Sequence, residues 1–398
     1  VKLAVLGTDL DVVALLAAAV ADGHAAVWLG DVRPQDEAAL RKYSSQPQAR
    51  TDQWETLLDH ATADAVIVGR GTAGDELRGE QLKRLVTDAV PTLIIHPAGL
   101  SVLTYYELDM VRRETGAILR HFNPLAGHPK FSEIAQWVRE GHENIGSVVQ
   151  VTCTRHIRGG SREEVLAGLA RDAELLAAVA GDIRQVSAIG PREMPGATRP
   201  DSAPMSYASL QVQMTSTVPA TLRWSVVPAT SEIRTIELAL IGERGTIVMT
   251  DADLQFDAPR AAIMQLAAAV EQKVTDNAST WDKATRAMEV VDAVELSLQR
   301  GRTIEVHQQQ LTEQLAFRGT MAALGCGLLL LATVVVIVAG MVGGADWLLQ
   351  RKVMPSWPVA LLAVLAFFLL LQTVPWLASR KRTRRETENE GSQQEIRS

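Results

Sequence analysis

The first 31 residues constrain this chain more than any other stretch. Residues 1–7, Val-Lys-Leu-Ala-Val-Leu-Gly, form an apolar run of strand length that ends at a glycine. Residues 11–21 have helix length and are rich in Ala, Val and Leu. After the turn Asp22-Gly23-His24, residues 25–29 are strand-like again and run into Gly30-Asp31. Strand, helix and strand at this spacing predict a β-α-β unit with a right-handed crossover and a parallel sheet. Such a unit turns the N-terminal amides and positive dipole end of its first helix toward the carboxyl edge of the sheet, where a pyrophosphate can bind. Asp31 follows Gly7 by 24 positions, near the distance at which an acid meets a ribose hydroxyl.

The glycine pattern of such a turn is eroded. Against G-x-G-x-x-G the chain has Gly7-Thr8-Asp9-Leu10-Asp11-Val12, which keeps only the first glycine. Asp9 stands where the backbone would approach the phosphates, and Asp11 adds a second negative charge. Two readings follow: a dinucleotide turn whose acids are compensated elsewhere, or an Asp-rich turn that only caps its helix. The cofactor-side candidates are Gly7, Thr8, Asp9, Leu10 and Asp31.

Helices are expected around residues 36–43 and 54–60, a buried strand over 64–69 ending at Gly69-Arg70-Gly71, a helix over 79–88, and a strand over 91–95 ending at His96-Pro97. This alternation predicts a doubly wound, Rossmann-like α/β sheet. Ligands bind such sheets at the carboxyl ends of the strands, which gathers Gly7, Asp31, Gly69, Arg70 and His96 at one edge.

The second half changes character. Strands are expected at 146–154, 183–189, 209–215, 220–227, 234–241 and 246–249, with helices at 163–180, 261–274 and 280–300 and a Pro/Gly-rich loop at 191–204. This is an α+β domain with a large, open, mainly antiparallel sheet.

Three segments carry a resemblance. Ile241-Gly242-Glu243-Arg244-Gly245-Thr246-Ile247 resembles the glycine-turn-glycine strand pair of the Gfo/Idh/MocA oxidoreductases. Residues 287–302, ending Ser297-Leu298-Gln299-Arg300-Gly301-Arg302, resemble that family's last helix. Asn144-Ile145-Gly146-Ser147-Val148 resembles the entry to its second domain. Together these features span residues 1–306. The resemblance implies NAD or NADP as cofactor and hydride transfer on a hydroxylated, sugar-like substrate. It also implies a homo-oligomer, since family members often associate through the open sheet. Where the family has Glu-Lys-Pro after a Rossmann strand, this chain has Ile95-His96-Pro97, so the proline is kept beside the cofactor and the lysine becomes His96. Where the family often has a His with an Asp three residues on, the alignment places Arg171 and Glu174. The catalytic candidates are therefore His96 as a proton carrier, Arg171 to hold a carboxylate and Glu174 to orient a partner. The lost glycines and the replaced lysine and histidine favour the alternative, an inactive relative serving as a ligand sensor or membrane-tethered scaffold. His121, Asn123 and His128 form a second polar cluster, which either lines the cleft or, as the favoured expectation, packs between domains. No metal site is expected, because two loose histidines lack a carboxylate at ligand spacing.

Residues 320–342 carry no charge, and residues 357–377 form a second apolar run. As helices they reach roughly 35 and 32 Å, enough to cross a bilayer. Arg380-Lys381-Arg382-Thr383-Arg384-Arg385 follows the second run, so the positive-inside rule places both ends in the cytoplasm. The expected order is a Rossmann-like domain (1–120), an α+β domain (121–308), a helical connector (309–319), spans at 320–343 and 356–378, and a basic then polar tail (379–398). Residues 1–317 carry a formal charge of −11 and the remainder +4, which argues against nucleic acid as a partner. The expected partners are a small molecule and the lipid bilayer.

Overall fold

The computed structural model describes residues 1–306, apart from 44–50, 60–61, 100, 192–205, 230–234 and 273–279. The expected connector, both spans and the tail lie outside the described residues. No helix among the described residues is long and apolar enough to cross a membrane.

The opening forms as its pattern dictates: β1 (Lys2–Leu6), α1 (Leu10–Ala21) and β2 (Ala25–Gly30). The parallel sheet continues with β3 (Ala65–Val68), β4 (Thr92–Ile95) and β5 (Leu119–Phe122), in the order β2-β1-β3-β4-β5. Leu6 pairs with both Gly30 and Val68. The strands therefore end together, and their following loops form one edge. Leu3, Val5, Val12, Leu15 and Leu16 are buried on one face of the sheet with Ile263 and Leu266 of a late helix, α7 (Ala258–Gln272). Each such side chain contributes roughly 1.5–3 kcal/mol by leaving water.

Several elements depart from the sequence reading. Helix α2 covers Pro34–Leu40, and residues Thr51–Leu58 wind as a 3₁₀ helix. Helix α3 spans Asp75–Thr87, so Gly79 lies inside it rather than at its start. Added to the expected elements are α4 (Val102–Thr115), β5 and α5 (Lys130–Glu140). Because β5 belongs to the first sheet, the parallel sheet runs past residue 120 and carries His121.

The second sheet has seven strands: β6 (Val148–Ile157), β7 (Gln185–Ile189), β8 (Gln211–Thr215), β9 (Thr221–Pro228), β10 (Ile236–Gly242), β11 (Thr246–Thr250) and β12 (Ile304–Glu305). Their order is β11-β10-β6-β9-β8-β7-β12, antiparallel except for the parallel pair β6 and β9. Burial alternates along these strands, as on a sheet covered on one face only. The covered face lies against α6 (Arg162–Ala180), whose first turn is capped by Ser161, and against α8 (Thr280–Arg300). Helix α8 also returns to the first unit: Trp281 Nε1 donates to the Tyr105 carbonyl, and Tyr106 of α4 donates to Glu289. The two sheets thus share one continuous core, and α6 runs past the carboxyl edge of the first.

Candidate functional site

The edge begins at Gly7, whose φ of 81° favours glycine. A Cβ there would sit 2.5 Å from the Gly69 carbonyl oxygen and 2.6 Å from Arg78 Nη2. Thr8 is buried and serves as a pin: its hydroxyl donates to Asp36 at 3.0 Å and accepts from the Arg33 amide at 2.9 Å. Asp9 caps α1, accepting the Val12 amide at 3.0 Å. Burial, and then the neighbouring Asp11, push its carboxyl pKa upward. Asp11 pairs with Arg171 at 2.6 Å. Leu10 is exposed at the first turn of α1.

Asp31 is committed within the chain. One carboxylate oxygen accepts the Thr72 amide at 2.9 Å and the Thr72 hydroxyl. The other accepts the Arg78 guanidinium and the Ala73 amide, the latter at 3.3 Å. Arg78 is itself buried, and burial lowers its pKa against the pull of Asp31. It also donates to Gln81 and to the Arg70 carbonyl. Its Nε has no partner among the described residues. In front of it lies a cleft of about 340 Å³, lined by Arg33, Arg70, Gly71, Arg78, Gly99 and Glu163 among others. Arg70 reaches Glu163 across the cleft at 3.7 Å.

A second cluster lies deeper, between β4, β5 and α6. His96 follows β4, precedes Pro97 across a cis peptide bond, and is fully buried. Its Nδ1 meets the Tyr105 hydroxyl at 3.1 Å. That hydroxyl accepts the Ala98 amide at 2.9 Å, and burial raises its pKa. Its proton therefore goes to His96 Nδ1, which places the ring proton on Nε2. Burial pulls His96 down to about 3 although the Glu174 carboxylate opposes this, so the ring is neutral.

His121, on β5, meets Glu174 Oε1 through Nε2 at 2.8 Å. Asn123 donates to the other Glu174 oxygen at 2.7 Å and to the Arg171 carbonyl at 3.0 Å. Burial alone would raise Glu174, but at the acidic pH where it titrates the charge of protonated His121 and the hydrogen bond between them, with help from His96 and Asn123, hold it at about 2. An ionised Glu174 needs a donor, so His121 keeps its proton on Nε2. Its Nδ1 is buried without a partner among the described residues. The two rings lie edge to face with centroids 5.6 Å apart. Arg171 ties the cluster to the cofactor edge, donating to the His96 carbonyl at 2.7 Å and to Asp11.

The structure thus joins the three residues expected for chemistry, His96, Arg171 and Glu174, and adds His121, Asn123 and Tyr105. Arg171 is committed to Asp11 and the His96 carbonyl, so it bridges the junction where the sequence suggested a carboxylate holder. His128 lies elsewhere, packed between Phe131 and Phe256. Among the described residues no group of three His, Cys, Asp or Glu side chains is placed to hold a metal.

The cofactor-edge residues fit a dinucleotide through its phosphates. Glycine at position 7 lets backbones approach closely, and three arginines, Arg33, Arg70 and Arg78, line the cleft. The two acids of the turn are engaged within the chain: Asp9 accepts the Val12 amide, and Arg171 offsets Asp11.

No protein-family model matches the sequence, and no curated protein matches it. Solved structures do. GenD2 from gentamicin A biosynthesis, in complex with NAD, superposes with a TM-score of 0.61 at 17% identity, covering 77% of this chain and 96% of its own. The WlbA dehydrogenase from Chromobacterium violaceum, in complex with NADH and UDP-GlcNAcA, gives 0.59 at 13% identity, covering 78% and 96%. A myo-inositol dehydrogenase from Corynebacterium glutamicum gives 0.57 at 14% identity, covering 77% and 99%. The chain has the fold of the Gfo/Idh/MocA-type dehydrogenases, as its sequence resemblance implied.

Proposed function

We propose that this chain is an NAD(P)-dependent oxidoreductase acting on a hydroxylated, sugar-like small molecule, held at the cytoplasmic face of a membrane by residues 320–343 and 356–378. The observation that carries the reading is the His121–Glu174 pair, set between the carboxyl edge of the parallel sheet and α6, with an unpartnered ring nitrogen. Support also comes from the fold shared with GenD2 and WlbA, whose structures hold NAD and NADH.

A bound nicotinamide would supply the hydride acceptor or donor. Gly7 and the start of α1 would hold its phosphates. As the substrate C–H hydrogen leaves as hydride, the hydroxyl proton passes to His121 Nδ1 while Nε2–H stays on Glu174; reduction runs the same transfer backward. Asn123 holds Glu174 in place, and Arg171 positions the junction. His96, neutral and fully buried, would position the cluster through Tyr105.

A second reading, a ligand sensor or membrane scaffold without turnover, is favoured by one observation: both Asp31 oxygens are already bound by the chain itself. Titrating NADH and NADPH into the purified full-length chain, followed by nicotinamide fluorescence, separates the two. The oxidoreductase reading expects saturable binding of at least one of them. No binding at millimolar cofactor would overturn it in favour of the sensor.

A further inference from the structure

We propose that the cleft in front of Arg78 selects the cofactor carrying an extra 2′-phosphate, NADPH over NADH, through Arg33 and Arg70. This rests on the oxidoreductase reading and goes beyond it, because Asp31 on its own would suggest the opposite choice. An acid after the second strand ordinarily takes the ribose diol and repels a 2′-phosphate, whereas an arginine nearby accepts the phosphate. Here the acid is withdrawn. Asp31 accepts from Thr72, Ala73 and Arg78, and releasing it would open a buried ion pair whose arginine also anchors Gln81 and the Arg70 carbonyl. A diol would have to break that set, and taking one partner from a buried pair is strongly unfavourable.

The cations are placed the other way. Arg33 is two residues beyond Asp31 and lines the cleft. Its Nε is held by Asp36 at 2.8 Å, which fixes the guanidinium and leaves the terminal nitrogens for a ligand. Arg70 lines the same cleft, and its contact with the largely exposed Glu163 is long, at 3.7 Å. A doubly charged phosphate competes well for such a partner. Two further acids line the cleft: Asp75 sits in the first turn of α3, where the helix dipole offsets it, and Glu164 turns back to its own helix start, where its carboxylate accepts from the Ser161 hydroxyl and the Gly160 amide.

The test is a titration of NADPH and NADH into the purified full-length chain, with displacement by 2′,5′-ADP compared against ADP. The expected result is NADPH binding about tenfold or more tighter than NADH, with 2′,5′-ADP the better competitor, as two charge-assisted contacts require. Arg33→Ser and Arg70→Ser should each narrow the NADPH/NADH ratio severalfold, and rising salt should narrow it in the parent, since both arginines are partly exposed. Equal or tighter NADH binding would overturn the proposal and leave the oxidoreductase reading standing. A preference for NADPH that survives both substitutions would overturn its assignment to these arginines. Binding of neither cofactor would overturn both readings.

Discussion

His121 Nε2 lies 2.8 Å from Glu174 Oε1, joining the last strand of the parallel sheet to the helix that begins beneath the second. In a neutral His121 this distance keeps the ring proton on Nε2 and leaves the lone pair on the buried Nδ1. Once a substrate is in hand, His121→Phe should lower kcat by about 10²-fold or more, the usual weight of a positioned acid or base. Glu174→Gln should also lower kcat and shift the pH–rate profile, because the histidine loses its anionic partner. Unchanged turnover in His121→Phe would remove this residue from the mechanism.

The same cluster sets an acid-stability profile. His96 is held at about 3, below its ordinary 6.5. The unfolded chain therefore binds more protons in that interval, and the contribution of His96 is complete above pH 6.5 and lost as pH falls toward 3. Glu174, held at about 2 rather than 4.5, contributes stability that is complete above pH 4.5 and lost as pH falls toward 2. Denaturant midpoints measured at pH 7, 5 and 3.5 should therefore fall in two overlapping stages. His96→Gln should flatten the first stage and Glu174→Gln the second. A parent profile flat from pH 7 to 4 would refute the neutral, buried state of His96.

Arg171 bonds the His96 carbonyl and Asp11 from a side chain that is mostly buried. Arg171→Met keeps the packing but leaves both acceptors without their donor. The expected cost is about 2 kcal/mol, from two lost hydrogen bonds, one of them charged. Arg171→Lys should recover part of it, since an ammonium cannot span both acceptors with a planar fork. Equal stability of all three proteins in urea would show that the bridge carries no load.

Under the second sheet, Arg155 grips Asp172 through two nitrogens while Trp224 Nε1 donates to the same carboxylate at 2.8 Å. Arg155→Met would strand a buried anion at a cost of about 3–5 kcal/mol, and Arg155→Met combined with Asp172→Leu should recover much of that loss. Chemical denaturation of the single and double variants measures both. A neutral single variant would contradict the burial of this pair.

How much was legible in the sequence follows from where apolar periodicity survives. The β-α-β opening reads cleanly because Leu3, Val5, Val12, Leu15 and Leu16 all face one core. The region from Val102 to Glu140 does not, and the reason is chemical. Strand β5 reads Leu-Arg-His-Phe, with His121 turned to Glu174, so a functional side chain replaces the apolar residue that would have marked a strand. Helix α3 was cut short at Gly79, which lies inside it facing Thr104 of α4. Strand β6 runs three residues beyond its expected end because Arg155, which looks like a terminator, is neutralised from beneath by Asp172. Of the site, Gly7, His96, Arg171 and Glu174 were visible as motif positions. The occupation of Asp31 was not, since its partners Thr72 and Arg78 are 41 and 47 residues away and carry no pattern.

The last described strand supplies a final prediction. Ile304 and Glu305 pair with Val186 and Gln185, and the Val306 amide donates to the Arg184 carbonyl, completing the second sheet. Every paired strand among the described residues is in place by Val306, and the two uncharged runs lie beyond it. A chain ending at Gln310 should keep the thermal midpoint of the folded unit and stay in the supernatant after ultracentrifugation. The full chain should sediment with membranes and require detergent, because about 20 consecutive apolar residues suffice to span a bilayer. Membrane association of the shortened chain would move the anchor into residues 1–310 and refute the assignment of residues 320–343 and 356–378 as the tether.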